Sequence, residues 1–211
     1  MIRPRLAAVA LLCAASAVSA ARAQEAAVTD PSLAAKLAIA ALQPAPAATL
    51  TVTSPAFPPG GDIPLANTRW RENRFPGLAW TAGPRTTQAY AVVLQDPDSQ
   101  SGGMPILHWT AYDIPAEVTR LEPGGLVALP PGAQAGPNIR GSAQPYAGPR
   151  TPAGPKHHYH FQVFALDAPV PADPAMTYPQ LLAAMRGHVL AQGDLVGLGH
   201  KDPDAPDSPK P

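Results

Sequence analysis

Three polar clusters stand at the ends of apolar runs, and their residue types bound the chemistry open to this chain. Asp96-Pro97-Asp98 follows the run Ala89 to Gln95 directly. Asp and Pro are favoured in turns, so the cluster reads either as a surface turn or as a carboxylate fixed at a strand end and aimed at a ligand. His108-Trp109 lies inside the next apolar run. A lone His there is usually a satisfied core residue; the Asp pair one run earlier makes a site residue the alternative. The third cluster is Tyr146-Ala147-Gly148-Pro149-Arg150-Thr151-Pro152, with His157-His158-Tyr159-His160-Phe161 behind it. Glycine lets a backbone approach closely and the prolines stiffen the loop. An exposed N–H beside an imidazole makes a seat for an anion. In a strand, His157, Tyr159 and Phe161 face one side, and His158 and His160 the other. His158 and His160 could share a metal ion, but two imidazoles without a third ligand are too few, so neither metal nor cofactor is expected.

Familiar catalytic signatures are missing: no Walker A loop, Rossmann glycine run, HExxH, GxSxG elbow or paired-cysteine zinc site. An enzyme would have to use Asp96 with His108 or His157 as an acid–base pair, and no activated nucleophile accompanies them.

The elements that must position these clusters read as strands. Thr49 to Thr53, Ala89 to Gln95, Ile106 to Ile114 and Tyr159 to Leu166 are short apolar runs rich in β-branched and aromatic residues, and three of them end at Ser-Pro, Pro or Asp-Ala-Pro. Tyr178 to Ala191 is the exception: Leu181, Leu182, Met185, Val189 and Leu190 recur at helical spacing, with Thr177 as N-cap and Pro179 in the first turn. Asp194 to Leu198 reads as a last strand. The expectation is a mainly β fold, a β-sandwich with a few short helices, one near the C-terminus.

Composition agrees with a folded, loop-rich domain. The 211 residues include 29 Pro and 17 Gly, yet 45% are apolar and only 14% charged. A disordered chain is charge-rich and apolar-poor, and so many prolines argue against a mostly helical fold. Balanced charge leaves no basic stripe for nucleic acid. Residues 1–23 carry Arg3 and Arg5 before an apolar stretch and a small-x-small site at Ala21-Arg22-Ala23, which marks a signal peptide. The stretch is too short to span a bilayer, which takes ~20 residues. Its removal takes away the sole cysteine, Cys13, and three arginines, leaving 12 basic against 15 acidic side chains on a chain expected to be periplasmic or secreted. Residues 24–48 are Ala/Pro-rich and open to two readings, a short helix over Leu33 to Leu42 or a flexible spacer. One domain then spans 49–200, and 201–211 read as a disordered tail.

The order DPD, HW, YxGP and H-x-Y-x-F with ALD behind it resembles the phosphatidylethanolamine-binding protein family, and within it the bacterial Raf-kinase-inhibitor-like branch. The resemblance runs from about Leu50 to Lys201. It implies a β-sandwich of that type with an anion pocket at one end, formed here by Asp96, His108, Gly148, His157 and Tyr159 and supported by Asp98 and Pro149. In that arrangement the Gly148 N–H donates to a ligand oxygen, the histidines add donors, and Asp96 orients an imidazole or receives an ammonium group. The implied partner is a small anionic ligand or phospholipid head group, bound without turnover. An inhibitor or interaction protein acting on another enzyme through the pocket loops is the alternative. The chain departs from the branch at Arg150, at His158, and at Gly199, where a missing side chain is expected to leave one pocket wall open. Arg150 either adds a cation or points to solvent. Asp202-Pro203-Asp204 copies the short motif but is expected to follow no buried strand.

Overall fold

The computed structural model describes residues 25–42, 48–125 and 127–206; the expected signal peptide lies outside them. Strands dominate. Six form one sheet: β1 (Ala48–Thr49), β4 (Ala89–Ser101), β5 (Met104–Pro115), β7 (Gln134–Ala135), β8 (His157–Leu166) and β9 (Val189–Gly199), in the order β1-β9-β8-β4-β5-β7. Three more, β2 (Val52–Thr53), β3 (Leu78–Trp80) and β6 (Arg120–Leu121), form a second sheet in the order β2-β3-β6. Among the described residues the pairings between these named strands are antiparallel except β1 with β9.

β4 lies in the interior of the large sheet and is buried on both faces. Tyr90, Val92 and Leu94 pack with Trp80, Trp109 and Phe161 between the two sheets. Ala91 and Val93 pack on the other side with Phe164, Leu181 and Met185. Burial on both faces is why this run is apolar without alternation.

The helices cover that outer side. α1 (Pro31–Ala34) and α2 (Ala38–Ala41) are single turns in the segment left open between helix and spacer, and Leu33, Leu37, Ala38 and Leu42 are buried. Two buried glutamines tie the segment down. Gln95 Oε1 accepts the Ala38 N–H at 2.8 Å and Gln162 Nε2 at 3.1 Å, while Gln162 Oε1 accepts the Ile39 N–H at 2.7 Å. Gln95→Leu leaves the Ala38 N–H and Gln162 Nε2 without an acceptor, at a cost of about 1–3 kcal/mol. Faster hydrogen exchange at Ala38 and a lower urea midpoint are expected; unchanged exchange there would refute the tether.

Three expectations need correction. The helix expected over Tyr178 to Ala191 stops early: α3 (Tyr178–Met185) ends at Arg186, Gly187 turns at φ 83°, and Val189 already begins β9. Asp96-Pro97-Asp98 is no turn after a strand but part of β4, at a register shift between Asp96 and Gln100 where Pro97 need not donate to the ladder. Asp202 is not in a disordered tail. It follows buried Gly199 by three residues, is 4% exposed, and takes Arg71 Nε at 2.7 Å and Nη2 at 3.2 Å. Residues 207–211 lie outside the described chain. Among the described residues no helix is long and apolar enough to cross a membrane.

Candidate functional site

The end of the large sheet where β4 runs on past its last pairing with β8 collects the polar clusters. Gln95 pairs with His160, so the next β4 residues run beside the first residues of β8. Asp96 Oδ2 lies 2.9 Å from His157 Nδ1, and Asp98 Oδ2 lies 2.7 Å from both the His158 backbone N and His158 Nδ1. The parity of β8 thus sorts the two carboxylates, Asp96 to His157 and Asp98 to His158. Asp98 supports its neighbour as well, donating its backbone N–H to Asp96 Oδ1 at 2.9 Å. On the other flank β5 shifts register between Leu94↔Trp109 and Gln95↔Leu107, and His108 is the residue left over. Such a bulge re-aims a side chain. The His108 ring stands edge-on to the Tyr159 ring with centroids 5.1 Å apart, and its Nδ1 lies 3.0 Å from Ala147 O on the facing loop.

Asp96, His108, His157 and Tyr159 therefore form one cluster closed by the Ala147–Thr151 loop. Tyr159 OH lies 3.0 Å from Thr151 Oγ1. Asp96, His108 and Tyr159 are 2%, 3% and 1% exposed and His157 8%, so a ligand meets His157 first. Three clefts of about 400, 320 and 460 Å³ open elsewhere, and Asp96, His108, His157 and Tyr159 line none of them.

Electrostatics split the two histidines. Burial drives the His108 pKa down to about 4, and the nearby Arg69 charge adds to this while Asp96 opposes it. Burial also disfavours charge on His157, but the Asp96 hydrogen bond and the charges of Asp96 and Asp98 together outweigh it and raise its pKa. Burial works against the charged form of Asp98 too; the Thr29 hydroxyl and the His158 N–H and imidazole hold its pKa below the usual carboxylate range. Tyr159 stays a phenol, its pKa raised by burial and the Asp96 charge.

The Gly148 N–H does not have the role the resemblance implies. It donates to Asn73 Oδ1 at 2.8 Å, and a Cβ on Gly148 would lie 2.7 Å from Asn67 O. Close approach of these loops requires the glycine, and its donor is already used. The Pro149 carbonyl accepts the Arg69 N–H at 2.8 Å. Arg150 stacks over Trp70, 4.6 Å from the ring centroid. Gly199 does not open a wall: a Cβ there would lie 2.4 Å from Tyr159 Cε2, so the glycine makes room for that ring. His158 and His160 do not share a site, since His160 Nδ1 pairs with Asp194 Oδ2 at 2.6 Å. Among the described residues no group of three His, Cys, Asp or Glu could hold a metal ion.

Sequence reasoning missed Arg69, Asn73 and Thr29. Arg69 Nε donates to Gly148 O at 3.0 Å, and the Thr29 hydroxyl donates to Asp98 Oδ1. One signal was available for the first two: Arg69, Arg71 and Arg74 crowd with Asn73 into six residues of a chain that is only 14% charged.

A family model described as phosphatidylethanolamine-binding protein matches residues 53–201. A Methanothermobacter thermautotrophicus protein named UPF0098 is 37% identical over 145 residues, covering 68% of this chain and 93% of its own. A Mycobacterium tuberculosis protein whose name carries the word lipoprotein, LppC, is 36% identical over 163 residues, covering 74% of this chain and 76% of its own. Among solved structures, the Chlamydia trachomatis phosphatidylethanolamine-binding protein homologue CT736 has a TM-score of 0.64 at 30% identity over 73% of this chain and 99% of that one. Escherichia coli YbcL, titled a member of the mammalian family, has a TM-score of 0.66 at 27% identity over 74% of this chain and all of its own.

Proposed function

Because the chain belongs to the phosphatidylethanolamine-binding protein family, we propose that it is an exported binding protein for a small oxyanion, phosphate or carboxylate, held at Asp96, His108, His157 and Tyr159 without turnover. The observation that carries this reading is the Asp96–His157 pair. Asp96 Oδ2 fixes Nδ1 at 2.9 Å and raises the imidazole pKa, which favours the charged form and, with it, a second N–H donor on the outer nitrogen. Charge-assisted donors are the strong ones for an oxyanion. The ring that touches Tyr159, His108, is neutral, and no hydroxyl or thiol in the cluster is activated as a nucleophile. Export is supported by the pattern of residues 1–23 and by the lipoprotein name of the mycobacterial relative.

Phosphate at ten times its Kd stabilises a native-state binder by about 1.4 kcal/mol, which for a domain of this size is a rise in Tm of about 3–6 °C. His157→Ala is expected to abolish the rise. No shift with phosphate, phosphoethanolamine or acetate at millimolar concentration would refute the reading.

A further inference from the structure

The N-terminal segment 25–42 lies outside the family match, which begins at residue 53, yet it reaches the candidate site. It enters beside β8: the Ala27 N–H donates to Lys156 O at 2.6 Å and the Lys156 N–H to Glu25 O at 2.7 Å, one residue before His157. Further on, Gln95 and Gln162 hold Ala38 and Ile39, and Lys36 Nζ donates to Gly103 O at 2.7 Å. The arm is thus fastened at both ends by bonds that do not use Thr29. Between those ends Val28 is left 98% exposed while Thr29 is half-buried. Burial of apolar surface alone favours the reverse, so the orientation follows a polar contact. The Thr29 hydroxyl donates to Asp98 Oδ1 and lies 3.4 Å from His158 Nδ1. Asp98 Oδ2 takes the His158 N–H, and among the described residues the donor on Oδ1 is the arm's hydroxyl. The Asp98 side chain is almost wholly buried, so an oxygen left without its donor is costly. Ladder pairing does not fix this residue, because β4 last pairs with β8 at Gln95 and its register with β5 shifts between Asp96 and Gln100. Side-chain bonds must fix it instead. From Asp98 the chain of bonds continues through its N–H to Asp96 Oδ1 and from Asp96 Oδ2 to His157 Nδ1, each at 2.9 Å.

We propose that the N-terminal arm is a strap that organises the site from the outer face of the sheet, with Thr29 as a positioning residue that acts through Asp98 on the Asp96–His157 pair. The proposal rests on the reading of Asp96 and His157 as the binding pair and adds the element that holds them ready. Groups locked in place by a supporting shell avoid the cost of being ordered when a ligand arrives. Thr29 touches no ligand in this arrangement. It fixes one carboxylate, whose backbone N–H fixes the next, and that carboxylate sets the ring of His157.

Amide hydrogen exchange followed by NMR on the full chain tests this in wild type, Thr29→Val and Thr29→Ser. The Asp98 and His158 amides donate to the two carboxylates, whereas the Ala38 and Ile39 amides report how firmly the arm is attached. Thr29→Val keeps the shape and removes the hydroxyl. It is expected to speed exchange at Asp98 and His158 about tenfold, the effect of one unpaired buried acceptor, and to leave Ala38 and Ile39 within about twofold of wild type. Phosphate affinity, measured by calorimetry, should fall about threefold or more in the same variant. Thr29→Ser, which restores the hydroxyl, should recover both. Unchanged exchange at Asp98 and His158 would overturn the proposal. So would faster exchange at all four amides alike, which would make Thr29 a fastening of the arm and nothing more. Faster exchange at the site with wild-type phosphate affinity would overturn the positioning role. A wild type that binds no phosphate would sink the binding reading alone, and the exchange pattern would still decide whether Thr29 holds the pair.

Discussion

Asp96→Asn is expected to remove the alkaline loss of stability of this protein together with much of its affinity for an oxyanion. In the wild type the raised pKa of His157 lies above the unfolded value of about 6.5. The folded state then holds that proton more tightly than the unfolded chain. Its stabilising contribution is complete below about pH 6.5 and is lost as pH rises through the folded pKa. The carboxylate of Asp96, 2.9 Å away, supplies both the hydrogen bond and the nearest charge. Asparagine keeps the shape and removes the charge, so at pH 7 the charged form of His157 is disfavoured relative to the wild type. Phosphate affinity there should fall about tenfold or more, as a charged donor is lost. His108 titrates the other way. Its pKa of about 4 lies below the unfolded value, so the unfolded chain gains a proton first and stability falls from about pH 6.5 towards 4. Asp96 opposes that depression, so Asp96→Asn should keep or deepen the acidic fall while abolishing the alkaline one. Urea midpoints measured from pH 4 to 8.5 separate the two limbs. An alkaline limb of equal slope in both proteins would show that the Asp96–His157 pair is not what titrates.

What could be read from the sequence, and what could not, divides by range. β4, β5 and β8 were visible because each is a run of β-branched and aromatic residues in the sheet interior. Strand parity then sufficed to put His157 and Tyr159 on one side and His158 on the other. The failures have physical causes of two kinds. At Val189–Ala191 a helical spacing of apolar residues was overridden by pairing with β8, through Ala165↔Ala191 and Leu166↔Val189. At Gly148 the donor was assigned by local logic, whereas its partner, Asn73, is 75 positions away. Arg69 escaped for the same reason: its bond to Gly148 O spans 79 positions, and no local pattern records it. The role of Gln95 and Gln162 depends on the helical turns laid over them, 57 and 123 positions away, which no strand pattern records.

Gly199→Ala and Gly193→Ala should cost comparable stability but differ sharply in binding. Gly193, Leu195, Gly197 and Gly199 alternate along the buried face of β9. None of these glycines has a positive φ, so space alone decides what a methyl group does. At Gly193 the new Cβ would lie 2.2 Å from Leu50 O and 2.9 Å from Val52 Cγ2. The first of these is backbone, so β9 and the Leu50 segment must part. At Gly199 it would lie 2.4 Å from Tyr159 Cε2 and 2.7 Å from Thr151 Oγ1. Here side chains must yield, and they are the phenol of the cluster and the hydroxyl that holds it at 3.0 Å. Overpacking of either kind costs typically about 1–3 kcal/mol. Only Gly199→Ala displaces Tyr159 against the His108 ring, and a misplacement of about 1 Å can cost a site up to about a hundredfold. Measured well below the unfolding midpoint, phosphate affinity should drop more than about tenfold in Gly199→Ala and stay within about twofold of wild type in Gly193→Ala. Equal affinity in the two variants would remove Tyr159 from the ligand-contacting wall. A drop in Gly199→Ala alone would mean that the absent side chain at 199 is what lets Tyr159 close the site.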